Sequence, residues 1–247
     1  MRWILLRGLT REAGHWGGLP AQLAERTGEP VTALDLPGNG SRHGERSLAS
    51  VHATAQDCRR RTAAGEPVLL VAMSLGAMVA LEWARIAPER VAGCVLINTS
   101  TGGASWPWQR LRPRNYGALL RMLLPGQSLL ERERRVLAMT SACAQAQPGR
   151  AEHWARLAAA HPVAPANALR QLWAAARYRA PRRPLPVPLL LLACAGDALV
   201  SPRCSQALAR RWEVPLRMHP WAGHDLPLDD PGWLVDTLCE WRHTLAR

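Results

Sequence analysis

The chain has 247 residues, with 31 basic side chains against 19 acidic ones (net +12), 48% hydrophobic residues, six cysteines and no phenylalanine. That length accommodates one domain with an insertion, or at most two domains, and it buries a large core. Apolar content is ordinary and glycine and proline are spread without period, which excludes disorder, a collagen repeat and a disulfide-stapled miniprotein.

In chain order, Trp3 to Leu6 reads as a strand, Gly17 to Thr27 as a helix, and Val31 to Leu36 as a strand ending in the turn Pro37-Gly38-Asn39-Gly40. Leu48 to Ala64 follows as a helix, Val68 to Met73 as a buried strand, Leu75 to Ile86 as a helix and Val91 to Ile97 as another strand. From Trp106 to Tyr178 strand signals vanish, and four helices are expected at Tyr116 to Leu124, Leu129 to Gln145, Ala151 to His161 and Ala166 to Tyr178. Pro181, Pro184, Pro186 and Pro188 close that stretch. A buried strand at Val187 to Ala193, a helix at Pro202 to Trp212, a strand at Pro215 to His219 and a last helix at Trp233 to Ala246 complete the pattern. Strands alternating with helices imply a parallel sheet covered on both faces, with sites at the carboxyl ends of the strands. The expected organisation is a core of residues 1–101 and 185–247, interrupted by a helical insertion over 102–184.

No stretch reads as a membrane span: the longest apolar run, Val68 to Leu81, is broken by Ser74 and Gly76 and falls short of roughly 18 residues. The apolar stretch at the start, Trp3 to Leu6, is too short for a signal-peptide core, so a cytoplasmic location is expected. The cysteines sit far apart, without zinc spacing or a C-x-x-C pair, and are expected to be reduced buried thiols; no metal or cofactor is expected. Every basic residue is arginine, which fits the codon bias of a GC-rich genome as well as selection for charge. From Gly102 to Pro184 there are 14 Arg against three Glu, so nearly the whole charge excess lies in the insertion.

Ala72-Met73-Ser74-Leu75-Gly76 sits where a strand meets a helix, the setting of a nucleophile elbow that lifts a serine hydroxyl clear of a sheet. Positions 72 and 76 must be small, because the neighbouring strand and the helix backbone crowd them. Serine needs a base to take its proton, and the base needs an orienting group. Asp197 follows the strand Val187 to Ala193 and His224 follows the last strand, which gives the chain order Ser, Asp, His expected of such a site. Each alone also fits a plain turn residue. Asp225, Asp229 and Asp230 follow His224 rather than face it, which leaves Asp197 the better acid. Charge building on a carbonyl oxygen needs two waiting N–H donors; Leu75, at a helix N-terminus, and Leu9, in the loop after the first strand, are the candidates.

With these residues in place, the chain resembles the α/β-hydrolase superfamily, and more closely the cofactor-independent esterases of the type that demethylates pimeloyl-carrier-protein esters. The resemblance rests on Arg7-Gly8-Leu9 with Gly14-His15-Trp16, on Asp35-Leu36-Pro37-Gly38-Asn39-Gly40-Ser41, on the Ser74 elbow, on Gly196-Asp197-Ala198-Leu199-Val200 and on Ala222-Gly223-His224. It implies an α/β-hydrolase fold, a sheet of about six parallel strands in place of the family's eight, and a helical cap over the nucleophile. It departs from the pattern at Arg7, which stands where the family carries His, and at Ala72, which stands where it carries Gly. Arg7 either assists the oxyanion, binds an anionic group of the substrate, or is structural.

The resemblance implies a carboxylic ester hydrolase working through an acyl-enzyme on Ser74. A thioesterase would use the same residues, a lyase would use the triad for proton transfer with Arg7 on a substrate carboxylate, and a binding module would lack a triad member, which this chain does not. Arg7, Trp16, Trp106, Trp108, Tyr116, Trp154 and Trp173 are the substrate-pocket candidates, the aromatics of the insertion either lining an acyl pocket or filling a small helical core. Arg132, Arg134, Arg135, Arg177, Arg179, Arg182 and Arg183 suggest an acidic partner, an acyl carrier protein or an acyl-CoA, against the alternative of a solvated arginine-rich face. No nucleic-acid-reading motif accompanies the charge.

Overall fold

The computed structural model describes residues 1–62, 65–122 and 126–245. Six strands, β1 (Arg2–Leu6), β2 (Val31–Leu34), β3 (Val68–Met73), β4 (Val91–Ile97), β5 (Leu189–Cys194) and β6 (Leu216–His219), form one sheet in the order β2-β1-β3-β4-β5-β6. Every pairing is parallel, with Leu5 beside Ala33 and Val71, Val95 beside Val71 and Leu190, and Leu192 beside Arg217. The connecting helices among the described residues are α1 (Leu19–Thr27), α2 (Val51–Arg61), α3 (Leu75–Ile86), α4 (Pro107–Arg110), α5 (Tyr116–Met122), α6 (Leu129–Thr140), α7 (Arg150–Ala160), α8 (Pro165–Arg177), α9 (Arg203–Trp212), α10 (Leu226–Asp229) and α11 (Pro231–Thr244).

Side chains alternate across a strand, so each strand feeds two cores. Ile4, Leu6, Leu70, Ala72 and Leu191 pack against Val51 and Ala55 of α2, Val79 and Trp83 of α3, and Leu208 and Trp212 of α9. On the other face Trp3, Leu5, Val71, Val95 and Leu192 pack against Leu19 and Leu23 of α1 and Leu234, Leu238 and Trp241 of α11. Burying both faces explains why β3 and β5 are unbroken apolar runs, all six residues of each being buried. The chain leaves β1 toward one face and β3 toward the other. The crevice beyond the ends of these adjacent strands is therefore the switch point at which sites form in open α/β sheets.

Element ends follow local chemistry. Ser50 caps α2, its Oγ accepting from Ala53 N at 3.4 Å, so the helix begins at Val51 rather than Leu48. A Ser128/Glu131 capping box starts α6. That helix stops at Thr140 rather than Gln145, because Thr140 O accepts from Asp225 N at 2.7 Å and Ala142 N donates to Asp229 Oδ2 at 2.9 Å. β2 ends at Leu34 instead of Leu36, since the Asp35 carboxylate turns away to accept from Ala13 N and Ser41 N at 2.7 and 2.9 Å. Proline at 188 has no N–H to donate and β5 begins one residue later. Ala64, Leu124 and Ala246, the expected ends of three helices, lie outside the described residues.

Candidate active site

Four non-glycine residues have a left-handed backbone among those described: Ser74 (φ 56°) and Asn98 (φ 45°) directly follow β3 and β4, Thr10 (φ 55°) lies in the loop after β1, and Glu213 (φ 54°) follows α9. Backbone in this region is strained for such residues and collects at functional sites. Ser74 is the turn between β3 and α3, held by its N–H on Ile97 O at 3.0 Å and by Thr99 Oγ1 donating to its carbonyl at 3.2 Å. Its side chain is partly exposed while Met73 and Leu75 on either side are buried.

The elbow fits because Gly76 has no side chain. A Cβ there would lie 2.4 Å from Arg7 O and 2.5 Å from Leu6 O, so the first turn of α3 rests directly on the backbone leaving β1. The loop carrying Gly8 and Leu9 is thereby set against Ser74, and a Cβ at Gly8 would lie 3.0 Å from Ser74 Cβ. Leu75 is the first residue of α3, where an N–H has no intrahelical acceptor and the helix dipole is positive. Thr10 N donates to Gln171 Oε1 at 2.9 Å, tying the same loop to α8.

Asp197 and His224 meet at the ends of β5 and β6. His224 Nδ1 donates to Asp197 Oδ2 at 2.7 Å, and Asp197 Oδ1 accepts from Leu199 N and Val200 N, both at 2.8 Å. The two residues are 3% and 1% exposed, so the bond forms away from water, where it is strong. An ionised carboxylate only accepts, so the ring proton sits on Nδ1 and Nε2 is left as the basic nitrogen. Gly196 permits this approach, since a Cβ on it would fall 2.1 Å from Trp221 O. No hydrogen bond between Ser74 Oγ and the His224 ring is present among the described residues; such contacts are commonly long before substrate is bound.

Three residues hold these loops: Asn98 and Gln171, which the sequence did not single out, and Asp229, considered only as an acid for His224. Asn98 donates through Nδ2 to His224 O at 2.9 Å and accepts from Cys194 N at 3.0 Å, clamping the histidine loop to the end of β5. Its place directly after a buried strand was the available signal. Asp229 accepts from Gly223 N at 2.7 Å as well as from Ala142 N and Ser141 Oγ. Gln171, buried on α8, donates to Asn39 Oδ1 at 2.7 Å and Ser47 Oγ at 3.0 Å. Asn167 and Gln171, four residues apart on one helix face, are polar residues turned inward, which only the partners at the far side of the fold explain.

The pocket candidates separate. Trp16 (2% exposed) packs in the core around α1 and α11, and Trp154 (2%) in a small cluster with Leu137 and Ala151 of the insertion. Those two fill cores rather than line a cavity. Trp106 and Trp108 are exposed and stacked on each other at 5.0 Å, and Tyr116 and Trp173 are also exposed. Trp173 borders an open groove of about 380 Å³ with Ala49, Leu169 and Leu172. A second cleft of about 460 Å³ lies between α5 and α6, bounded by Arg114, Arg121, Arg135, Met139 and Ala198, the last adjacent to Asp197. Arg7 is 2% exposed and both its Nη groups sit on the Asp225 carboxylate, at 3.0 and 2.7 Å. Paired in this way, it has no charge free for a substrate carboxylate, which removes the residue that motivated the lyase alternative. Asp225, passed over as the acid in favour of Asp197, is the partner of that buried cation.

Burial pushes the Cys58 and Cys194 thiols up to about 12, and four of the six cysteines are buried; all six are free. Burial first, then the Arg11 and Arg7 cations, press His15 well below the ordinary imidazole value. Among the described residues no group of three or more His, Cys, Asp or Glu side chains is placed to hold a metal ion, and no helix is long and apolar enough to cross a membrane.

A strand-elbow-helix serine, a histidine on the loop after the last strand and a six-stranded parallel sheet define an α/β hydrolase, and the alpha/beta hydrolase family model matches residues 3–237: the chain belongs to that family. It is 38% identical over 96 residues to the pimeloyl-[acyl-carrier protein] methyl ester esterase of Methylococcus capsulatus, a match covering 38% of this chain and 35% of that one. The aligned part thus spans about a third of the relative's length. Among solved structures it is similar to a thermophilic esterase from Thermogutta terrifontis, with a TM-score of 0.77 at 21% identity over 99% of this chain and 90% of that one. A hydrolase from Oleispira antarctica superposes with a TM-score of 0.79 at 15% identity, covering 97% of this chain and 90% of that one. These structural likenesses speak to the fold.

Proposed function

We propose that the chain is a serine hydrolase that cleaves a carboxylic ester through an acyl-enzyme on Ser74. The observation that carries this reading is the buried His224 Nδ1 to Asp197 Oδ2 bond of 2.7 Å, beside an elbow serine at φ 56°. His224 Nε2 takes the Ser74 proton as Oγ attacks the ester carbonyl, and Asp197 holds the ring in the required tautomer and stabilises the imidazolium. The N–H groups of Leu9 and Leu75 receive the charge that develops on oxygen, a stabilisation worth about 3 kcal/mol per donor. The imidazolium then gives its proton to the departing alkoxide, and the same base activates water to free the acid.

Residues 102–184 act as a cap over this site. Support comes from the bonds that the segment makes to the candidate catalytic loops: Arg112 Nη1 donates to Asp197 O at 2.7 Å, Thr140 O accepts from Asp225 N, and Gln171 accepts from Thr10 N. The cleft bordered by Arg114, Arg121 and Arg135 is the approach for substrate. Of the segment's arginines only Arg134 forms an ion pair among the described residues, with Glu152, so the face stays strongly basic and suits an acyl group carried on an acidic carrier protein.

Intact mass after treatment with a fluorophosphonate tests the nucleophile: one adduct is expected, lost in Ser74→Ala, with turnover of a p-nitrophenyl ester falling about 10⁴-fold or more. A Ser74→Ala protein that keeps most of its activity ends the assignment. Comparing a methyl ester with the matching thioester separates the esterase from the thioesterase, which would use the same residues. Raising salt should depress kcat/KM for a carrier-bound ester far more than for the free ester; equal effects would remove the carrier-protein part.

A further inference from the structure

We infer that Arg7 is a positioning residue for His224: through the Asp225 carboxylate it fixes the histidine loop against the ends of β1 and β3, and it balances the charge that Asp225 brings next in sequence to His224. The inference deepens the proposed mechanism and rests on it. Arg7 is the last residue before the Gly8-Leu9 segment, Met73 the last before Ser74, and Asp225 the first after His224. One guanidinium touches all three loops, with Nη1 3.5 Å from Met73 Sδ as well as 3.0 Å from Asp225 Oδ1, and Nη2 2.7 Å from Asp225 Oδ2. Its Cζ lies over the Trp16 ring, 5.1 Å from the ring centroid.

The pair is a poor source of stability. Both side chains are 3% exposed, and two charges so buried give back in attraction about what they lose in hydration. Arg7 Nε is also buried without a partner, a further cost. What the arrangement does supply is geometry. Asp225 is held at its carboxylate by Arg7 and at its N–H by Thr140 O at 2.7 Å, while Asn98 holds the His224 carbonyl, so the residue bearing the imidazole is pinned on both sides. It also sets the charge. A carboxylate next in sequence to a general base would favour the protonated ring; with Arg7 on it the pair is neutral.

The other charged or titratable groups around this assembly come from every packed element. Asp197 lies on the ring itself, Arg112 on the Asp197 carbonyl, Asp229 on Gly223 N, and His15 and Arg11 on the loop after β1 near Arg7. None of these groups is substituted in the variants used below.

The test is a charge cycle read by NMR titration of the His224 ring, with the pH profile of p-nitrophenyl butyrate hydrolysis as a second readout. Arginine cannot shed its proton, so Asp225→Asn leaves an uncompensated cation. The titration midpoint and the acid limb of kcat/KM should then both move down, by on the order of one pH unit for one unpaired charge at an effective dielectric near 20. Arg7→Met should move both the other way, and the double variant Arg7→Met/Asp225→Asn should return them to the wild-type position. Arg7→Lys, which keeps the charge but not the two-pronged grip, should leave the midpoint in place while lowering kcat. A residue serving only as packing would move none of these midpoints. If Asp225→Asn and Arg7→Met both leave the midpoint unchanged, or the double variant fails to restore it, the inference is wrong. Should one variant not fold, the direction shown by the other decides. Since the ring titration needs no turnover, a protein that shows the cycle yet takes no fluorophosphonate would overturn the Ser74 mechanism and leave the pairing intact.

Discussion

Replacing Gly76 by alanine puts a methyl carbon 2.4 Å from Arg7 O, 2.5 Å from Leu6 O and 2.8 Å from the Leu6 carbonyl carbon. All three are backbone atoms at the end of β1, which is hydrogen-bonded to β2 on one side and to β3 on the other, so none can swing away as a side chain would. Relief requires α3 and the β1 loop to part by about 1 Å, and overpacking of this kind costs typically 1–3 kcal/mol. Alanine is the better helix former by about 1 kcal/mol, which offsets part of the cost. A net loss of about 1–2 kcal/mol is therefore expected in urea unfolding. The larger consequence is chemical. The same displacement separates the Leu75 and Leu9 N–H groups, and a misplacement near 1 Å lowers turnover on the order of 10²-fold. Gly44→Ala is the control: nothing lies within 4 Å of its Cβ position, and it should stay within about 0.5 kcal/mol of wild type. A Gly76→Ala protein with wild-type urea midpoint and wild-type kcat/KM would show that the close crossing of α3 on β1 is not what assembles the site. Lost stability with unchanged turnover would separate the crossing from the proposed oxyanion donors.

Two other outcomes are expected. Asn98→Ala removes the donor to His224 O and the acceptor of Cys194 N and puts alanine at φ 45°, so urea unfolding should show a loss of about 2–3 kcal/mol and kcat should fall; an unchanged kcat would mean that the histidine loop holds itself. His15 sits well below 6.5 in the folded protein, pressed down by burial and then by Arg11 and Arg7. Above 6.5 the ring is neutral folded or unfolded and has no effect on stability; below it the unfolded chain takes up a proton that the native chain does not, so stability falls as pH drops. Urea midpoints measured from pH 7.5 to 5 should decline in the wild type and decline less in His15→Leu; identical slopes would refute the burial-driven assignment.

The alternation of apolar runs with helical stretches was enough to foresee a parallel sheet, because β3 and β5 must be apolar on both faces and no other common arrangement buries them so. The Ser74 elbow was equally legible, since the strand-to-helix junction and the small residues at 72 and 76 are consecutive in the chain. Helix ends were not. Thr140 and Ala142 end α6 on groups from Asp225 and Asp229, more than eighty positions away, and no local rule reports such partners. The aromatics divided for the same reason: Trp154 and Trp173 lie in similar alanine-rich stretches, yet one is 2% and the other 56% exposed, because only one faces another helix.

Local chemistry in the chain therefore determined the sheet, its alternating helices, the elbow and the order in which serine, aspartate and histidine follow. The tertiary structure alone decided which polar groups meet. The histidine ring finds Asp197 across 27 positions and Arg7 finds Asp225 across 218, so an arginine that the sequence left open between three roles became the buried partner of the residue after His224. The physical reason is that backbone conformation follows from neighbours in sequence, whereas a charge buried at a strand end is set by whatever the fold brings within 3 Å of it.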